Sequence, residues 1–165
     1  MMISAAMNEK LNEQISAEFA AGFAYLAMAC VLDGMGLKVL RQRFLKQSDE
    51  EREHAMKIIR YLSEVGGSVT LEAIGKPKRD YENVEAVVTQ ALQNEKEITA
   101  KINDLVAFAE KEKDYATRSF LQWFVDEQVE EVSTMTDLVN LVKLAGANVL
   151  QVEAAIRHQM LAEKE

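Results

Sequence analysis

Nine residues, SDEEREHAM from Ser48 to Met56, put an acid and an imidazole where an apolar stripe ought to run. Leu37, Leu40 and Phe44 lead into the stretch at helical spacing, and Ile58, Leu62 and Val65 lead out of it. Steps of three and four from Phe44 pass through Gln47 or Ser48 to Glu51, His54 and Ile58. Glu51 and His54 thus share the buried face of one helix at i and i+3, where both can reach the same ion.

The intrusion recurs along the chain. The stripe Leu11, Ile15, Gly22, Tyr25 passes through Glu18, and the stripe Val84, Val88, Ala91, Ile98, Ile102 passes through Glu95. The segment FVDEQVEEVSTM sets Gln128 and Glu131 between Phe124 and Met135. A buried charge without a partner costs several kcal/mol. Four carboxylates meeting in one core would repel each other and take up protons. No Lys or Arg shares these stripes to neutralise them. One or two divalent cations would, and carboxylates with a single imidazole suit iron or manganese better than structural zinc. Each intrusion alone has a plainer reading, a surface i, i+3 pair or a boundary glutamate reaching for water. All four at similar depth favour a metal.

The elements that must position these residues follow from the same periodicity. Four long helical segments run over about 4–32, 37–65, 84–110 and 115–145, with Asn83 and Asp114 as expected N-caps. A short amphipathic segment from Asn148 to about 163 carries Val149, Val152, Ile156 and Met160 as its stripe. The turns at DGMG (Asp33 to Gly36) and KEKD (Lys111 to Asp114) are short, so each joins an antiparallel pair. The stretch from Gly66 to Glu82 holds the only proline, Pro77, and shows no helical pattern. A helix of roughly 28 residues is about 42 Å long, and about 16 extended residues reach roughly 53 Å, so this loop can run the length of a bundle. The expectation is an all-α, four-helix bundle with one long crossover between helices two and three, plus a short fifth C-terminal helix, in a single domain over 1–165.

Composition agrees. Hydrophobic residues make up 48% of the chain, good helix formers are abundant, and the net charge is −8. An acidic balance disfavours nucleic acid as a partner. Cys30, the single cysteine, allows no internal disulfide and no paired-cysteine zinc or iron site, and in its apolar run it reads as a small core residue. The run from Ala20 to Leu32 is interrupted at Gly22 and ends at Asp33, which reads as neither a signal peptide nor a membrane span, so cytoplasm is expected.

With these residues in view, the chain resembles the non-haem bacterial ferritins over essentially its whole length, through LNEQISAEF, EEREHAM, NEKEITAKIN and above all FLQWFVDEQVEEV. The resemblance implies a first iron position at Glu18, Glu51 and His54, and a second at Glu95 and Glu131 with Glu51 bridging and Gln128 close by. It implies a third, outer position at Glu50, Glu127 and Glu130 with Glu131 shared; read alone, those three form a solvated acidic face. It also implies redox roles for Tyr25 and Trp123, which spacing alone would assign to bundle filling. Bacterioferritins carry a second Glu-x-x-His in helix four and a haem-binding methionine after the bridging glutamate. Here those positions are Glu130 and Arg52, so no haem is expected.

The implied activity is iron storage with ferroxidase chemistry. Fe(II) is oxidised by dioxygen or peroxide and deposited as a ferric mineral in a homo-oligomeric cage of twenty-four subunits, with the fifth helix at the four-fold axes and its stripe needing cover. His158 reads as an ordinary surface or interface histidine, with a pore-lining role second. Two rivals stay open, another di-iron or manganese–iron oxidoreductase and a non-catalytic helical interaction module.

Overall fold

The computed structural model describes residues 3–162. It contains α1 (Ala5–Gly34), α2 (Lys38–Glu64), α3 (Val84–Glu112), α4 (Tyr115–Ala145) and α5 (Val149–Ala162), with no strand among the described residues. The fold is the all-α crossover bundle expected, with a short fifth helix; the end expected for that helix, at about 163, lies outside the described residues.

Local chemistry sets the helix ends. The Ser4 hydroxyl accepts from Met7 N–H at 3.0 Å, Asn83 Oδ1 from Ala86 N–H at 2.9 Å, and Asp114 Oδ1 from Thr117 N–H at 3.0 Å. Each satisfies a donor that the first helical turn leaves without a partner. At the other end of α1, Leu37 N–H returns to Leu32 O and Gly36 N–H to Asp33 O, both at 3.0 Å. This reversal needs the φ of +82° that Gly36 adopts without a Cβ penalty. The same pair of bonds closes α3, where Lys113 sits in the left-handed region at φ +57°.

The directions of the helices can be read from their contacts. Asn8 and Asn12, at the start of α1, bond Ser68 and Thr70 just beyond α2. Ser4 donates to Glu112 at the end of α3, at 2.5 Å. Helix α1 is therefore antiparallel to both α2 and α3, so α2 and α3 run parallel and residues 65–83 carry the chain back along the bundle. Those residues contain no helix, and the Asn8 and Asn12 side chains tie down their first turn.

Two apolar clusters fill the interior. One gathers Met7, Leu11, Ile15, Ile58, Leu62, Ile102, Leu105 and Leu121, and the other Met28, Leu32, Leu40, Phe44, Val88, Met135 and Val142. The intruding carboxylates lie between them, so the core is two dry ends separated by a polar belt.

Two expectations need correcting. Cys30 is exposed. It follows Phe23 and Leu26 at helical spacing on the outer face of α1, and both of those are exposed too. Because α1 is apolar all round from Ala20 to Leu32, periodicity within that run could not tell the inner face from the outer one. By length and composition α1 could also cross a bilayer; here the face bearing Gln14 and Glu18 is buried against α2 and α3. Finally, the α5 stripe does not wait for another subunit. Val152 and Ile156 are buried in the chain's own second cluster, with Val149 and Met160 partly buried beside them.

Candidate metal centre

Each long helix delivers its polar residue to the belt because that residue sits in register with the apolar stripe. Glu18, Glu51 and Glu95 are each only 1% exposed, His54 and Gln128 5%, and Glu131 7%. Gly22 lets α1 and α2 approach beside Glu51: a Cβ there would lie 3.2 Å from Ser48 O and 3.4 Å from Glu51 Cβ. Ser48 closes the contact by donating to Gly22 O at 2.8 Å.

Oxygen atoms from Glu18 and Glu51 and a nitrogen from His54 lie within 4.8 Å of one another, close enough to hold one cation. His54 Nδ1 is 3.4 Å from Glu51 Oε2. A second group of the same kind joins His54 to Glu127 and Glu131, with His54 Nε2 4.0 Å from Glu127. The four residues of the expected outer set, Glu50, Glu127, Glu130 and Glu131, line one adjoining cavity of about 210 Å³ together with Gln47, and Glu127 also faces His54.

Three of the carboxylates, Glu18, Glu95 and Glu131, have one oxygen held by a donor. Gln14 donates to Glu18 Oε1 at 2.8 Å, Tyr25 donates its hydroxyl to Glu95 Oε1, and Gln47 donates to Glu131 Oε2 at 2.7 Å. Glu18 Oε2, Glu51 Oε1 and Glu95 Oε2 are buried with no partner. Orphaned buried oxygens on this scale are costly unless a proton or cation meets them. Gln128 spends its amide N–H groups on Glu95 O at 3.1 Å and Thr99 Oγ1 at 3.0 Å, which pins α4 to α3 next to the carboxylates.

The electrostatics agree with the geometry. Burial, then the charge of Glu51, pushes Glu18 well above the ordinary carboxylate range, and burial, then Glu95, does the same to Glu51. Burial raises Glu95, against the pull of the Tyr25 hydrogen bond. Burial and Glu95 lift Glu131 to about 7. The Tyr25 phenol is itself raised by burial and by Glu95, so it remains a protonated donor. Such a site holds protons when empty of metal and releases them to a divalent cation.

Trp123 is more open than a core residue, at 37% exposed. Its indole meets the His54 ring edge-on at 5.4 Å, and Lys57 Nζ lies 4.0 Å above it, where the ammonium keeps both water and the ring face. Sequence reasoning missed Gln14 and Gln47 as carboxylate holders. The signal available was that each is a polar residue on a buried stripe, one turn before Glu18 and Glu51 respectively. His158 is exposed on α5, away from the belt.

Comparison with known proteins agrees with this architecture. A family model described as a ferritin-like domain matches residues 8–145. A bacterial non-heme ferritin of Staphylococcus aureus (strain USA300) is 37% identical over 145 residues, covering 88% of this chain and 87% of the relative. Its counterpart in Staphylococcus haemolyticus is 35% identical over the same shares of the two chains. Among solved structures, an open pore ferritin from the hyperthermophilic archaeon Archaeoglobus fulgidus superposes with a TM-score of 0.92 at 38% identity, covering 94% of this chain and 96% of that one. The chain belongs to the ferritin family.

Proposed function

We propose that this protein stores iron and that the polar belt is its ferroxidase centre, where Fe(II) is the substrate and dioxygen or peroxide the oxidant. The observation that carries the reading is the buried cluster of Glu18, Glu51 and His54, whose ligand atoms lie within 4.8 Å of one another, together with unpartnered buried oxygens on Glu18, Glu51 and Glu95. Glu18, Glu51 and His54 would take one Fe(II), and Glu95 and Glu131 a second, with Glu51 between them and Gln128 bracing α4. Clustered carboxylates favour Fe(III) over Fe(II) and so ease loss of an electron. The cavity beside the centre carries Arg43, Lys46, Glu50, Glu127 and Glu130. Charged walls of this kind suit a passing cation and not an organic substrate, which wants apolar lining. Glu50, Glu127 and Glu130 with shared Glu131 would form an outer iron position on the way to the mineral.

Assembly into a homo-oligomeric cage of twenty-four copies belongs to the same reading. Phe23 and Leu26 on α1, and Leu144 and Leu150 where α4 meets α5, are exposed apolar side chains that neighbouring copies would cover. The test is aerobic Fe(II) oxidation by the metal-free protein beside a protein-free control and the Glu51→Ala, His54→Ala double variant. Fast oxidation lost in the variant, with a soluble ferric mineral on further loading, is the expected result. Oxidation no faster than the control would leave only a shared fold.

A further inference from the structure

Gln47 differs from the other two carboxylate holders in where it stands. Gln14 lies on the α1 side of the belt and Tyr25 is deep in the core, but Gln47 is at the junction between the buried centre and the charged cavity. It is only 5% exposed, and its amide reaches across from α2 to Glu131 Oε2 on α4 at 2.7 Å. Glu131 is the one carboxylate of the centre that also lines the cavity. On the cavity side stands Arg43, beside the Lys46–Glu50 pair, so a carboxylate let go by Gln47 has an open, charged space to turn into. The Gln47 hydrogen bond opposes that turn.

We propose that Gln47 is a positioning residue that holds Glu131 toward the buried centre and so sets how Fe(II) divides between that centre and the outer cavity. The inference rests on the ferroxidase reading and adds to it a determinant of site preference. Losing an outer partner of a ligand typically lowers metal affinity by about 10- to 100-fold. Loss of Gln47 should act selectively on the buried site, chiefly through Glu131 and in smaller part through Glu51, which its amide also reaches.

The test is anaerobic Fe(II) titration by calorimetry, with stopped-flow oxidation at two Fe(II) per chain. It uses the full-length protein, Gln47→Met, Glu131→Gln and the double variant. In Gln47→Met the tighter binding step should weaken by about tenfold and the fast oxidation phase should shrink, while more ions bind in the weak class. In the Glu131→Gln background, Gln47→Met should lose most of its effect, because the larger share acts through Glu131. Gln47→Glu keeps the side-chain length but sets a like charge against Glu131, and should move the division further in the same direction. Unchanged binding classes in both Gln47 variants would overturn the proposal. So would an equal loss in the presence and absence of Glu131, which would place the effect on Glu51 or on packing. Wild-type protein that oxidises Fe(II) no faster than the control would overturn the ferroxidase reading itself, and this proposal with it.

Discussion

The buried centre and the cavity beside it are built from the same residue type and share α2 and α4, and they differ in their access to water. Glu51 is 1% exposed and its neighbour Glu50 has a side chain 40% exposed; one residue of helical register separates them. Glu50 pairs with Lys46 at 3.5 Å, as surface carboxylates do, whereas Glu51 keeps an oxygen with no partner at all. An acidic cluster that water can reach is stable when empty and binds cations weakly. An acidic cluster sealed between two apolar ends is unstable when empty, and that instability becomes affinity when a cation arrives. On the proposed reading, the inner group carries the chemistry and the outer one passes the ion.

The largest effect that could break this comparison comes from removing one carboxylate from each region. Glu51→Ala should lower the initial rate of Fe(II) oxidation by about a hundredfold or more, at least what loss of a ligand's partner costs. Glu130→Ala should leave that rate within a few-fold while slowing later mineral growth. Equal losses would erase the distinction between the regions.

A second prediction concerns pH. Glu131, lifted from 4.5 to about 7 by burial and Glu95, binds a proton in the folded chain that the unfolded chain has already released across that interval. Stability of the metal-free protein therefore falls as pH rises from about 4.5 to about 7, by on the order of 3 kcal/mol from this group alone. Glu18, Glu51 and Glu95 act in the same direction. Thermal melts of the metal-free protein should show Tm dropping over this range. Glu131→Gln should flatten the slope and Glu130→Gln should not.

Packing offers a smaller test. In Gly22→Ala the new methyl meets a backbone oxygen at 3.2 Å and the Glu51 stem at 3.4 Å, so α1 must back away from α2. A loss of about 1–3 kcal/mol in chemical denaturation is expected, together with slower Fe(II) oxidation. The smallest effect lies far from either region. Lys113→Gly relieves a left-handed lysine at the end of α3 and should stabilise the fold by about 1 kcal/mol, with oxidation unchanged.

Much of this was legible in the sequence, for identifiable reasons. Asn83 and Asp114 announced helix starts because a side-chain oxygen before an apolar periodicity has one common use. Glu18, Glu51, His54, Glu95 and Glu131 stood out because a core stripe makes an ionisable residue conspicuous. Gln14 and Gln47 occupy the same stripes, but an amide is tolerated in many settings; Gln14 bonds Glu18 one turn on in its own helix, while the partner of Gln47 on α4 leaves no trace in local spacing. The turn of Glu127 toward His54 depends on how α2 faces α4 across the bundle, and single-helix periodicity carries no such information. Cys30 was misplaced because a helix apolar on every face gives no preferred direction.

The fifth helix has one more consequence. No residue of its own caps α2: Leu37 offers no side-chain oxygen, and the amides of Val39 and Leu40 are held instead by Glu153 of α5, at 3.0 and 2.8 Å. A 14-residue helix is marginal alone, so α5 should form late and open early. Each opening frees the first turn of the helix that carries Glu51 and His54. Those two amides should then exchange hydrogen with solvent at the pace of α5 and not at that of the bundle, which would make the C-terminal helix a latch on the far end of the centre's own scaffold.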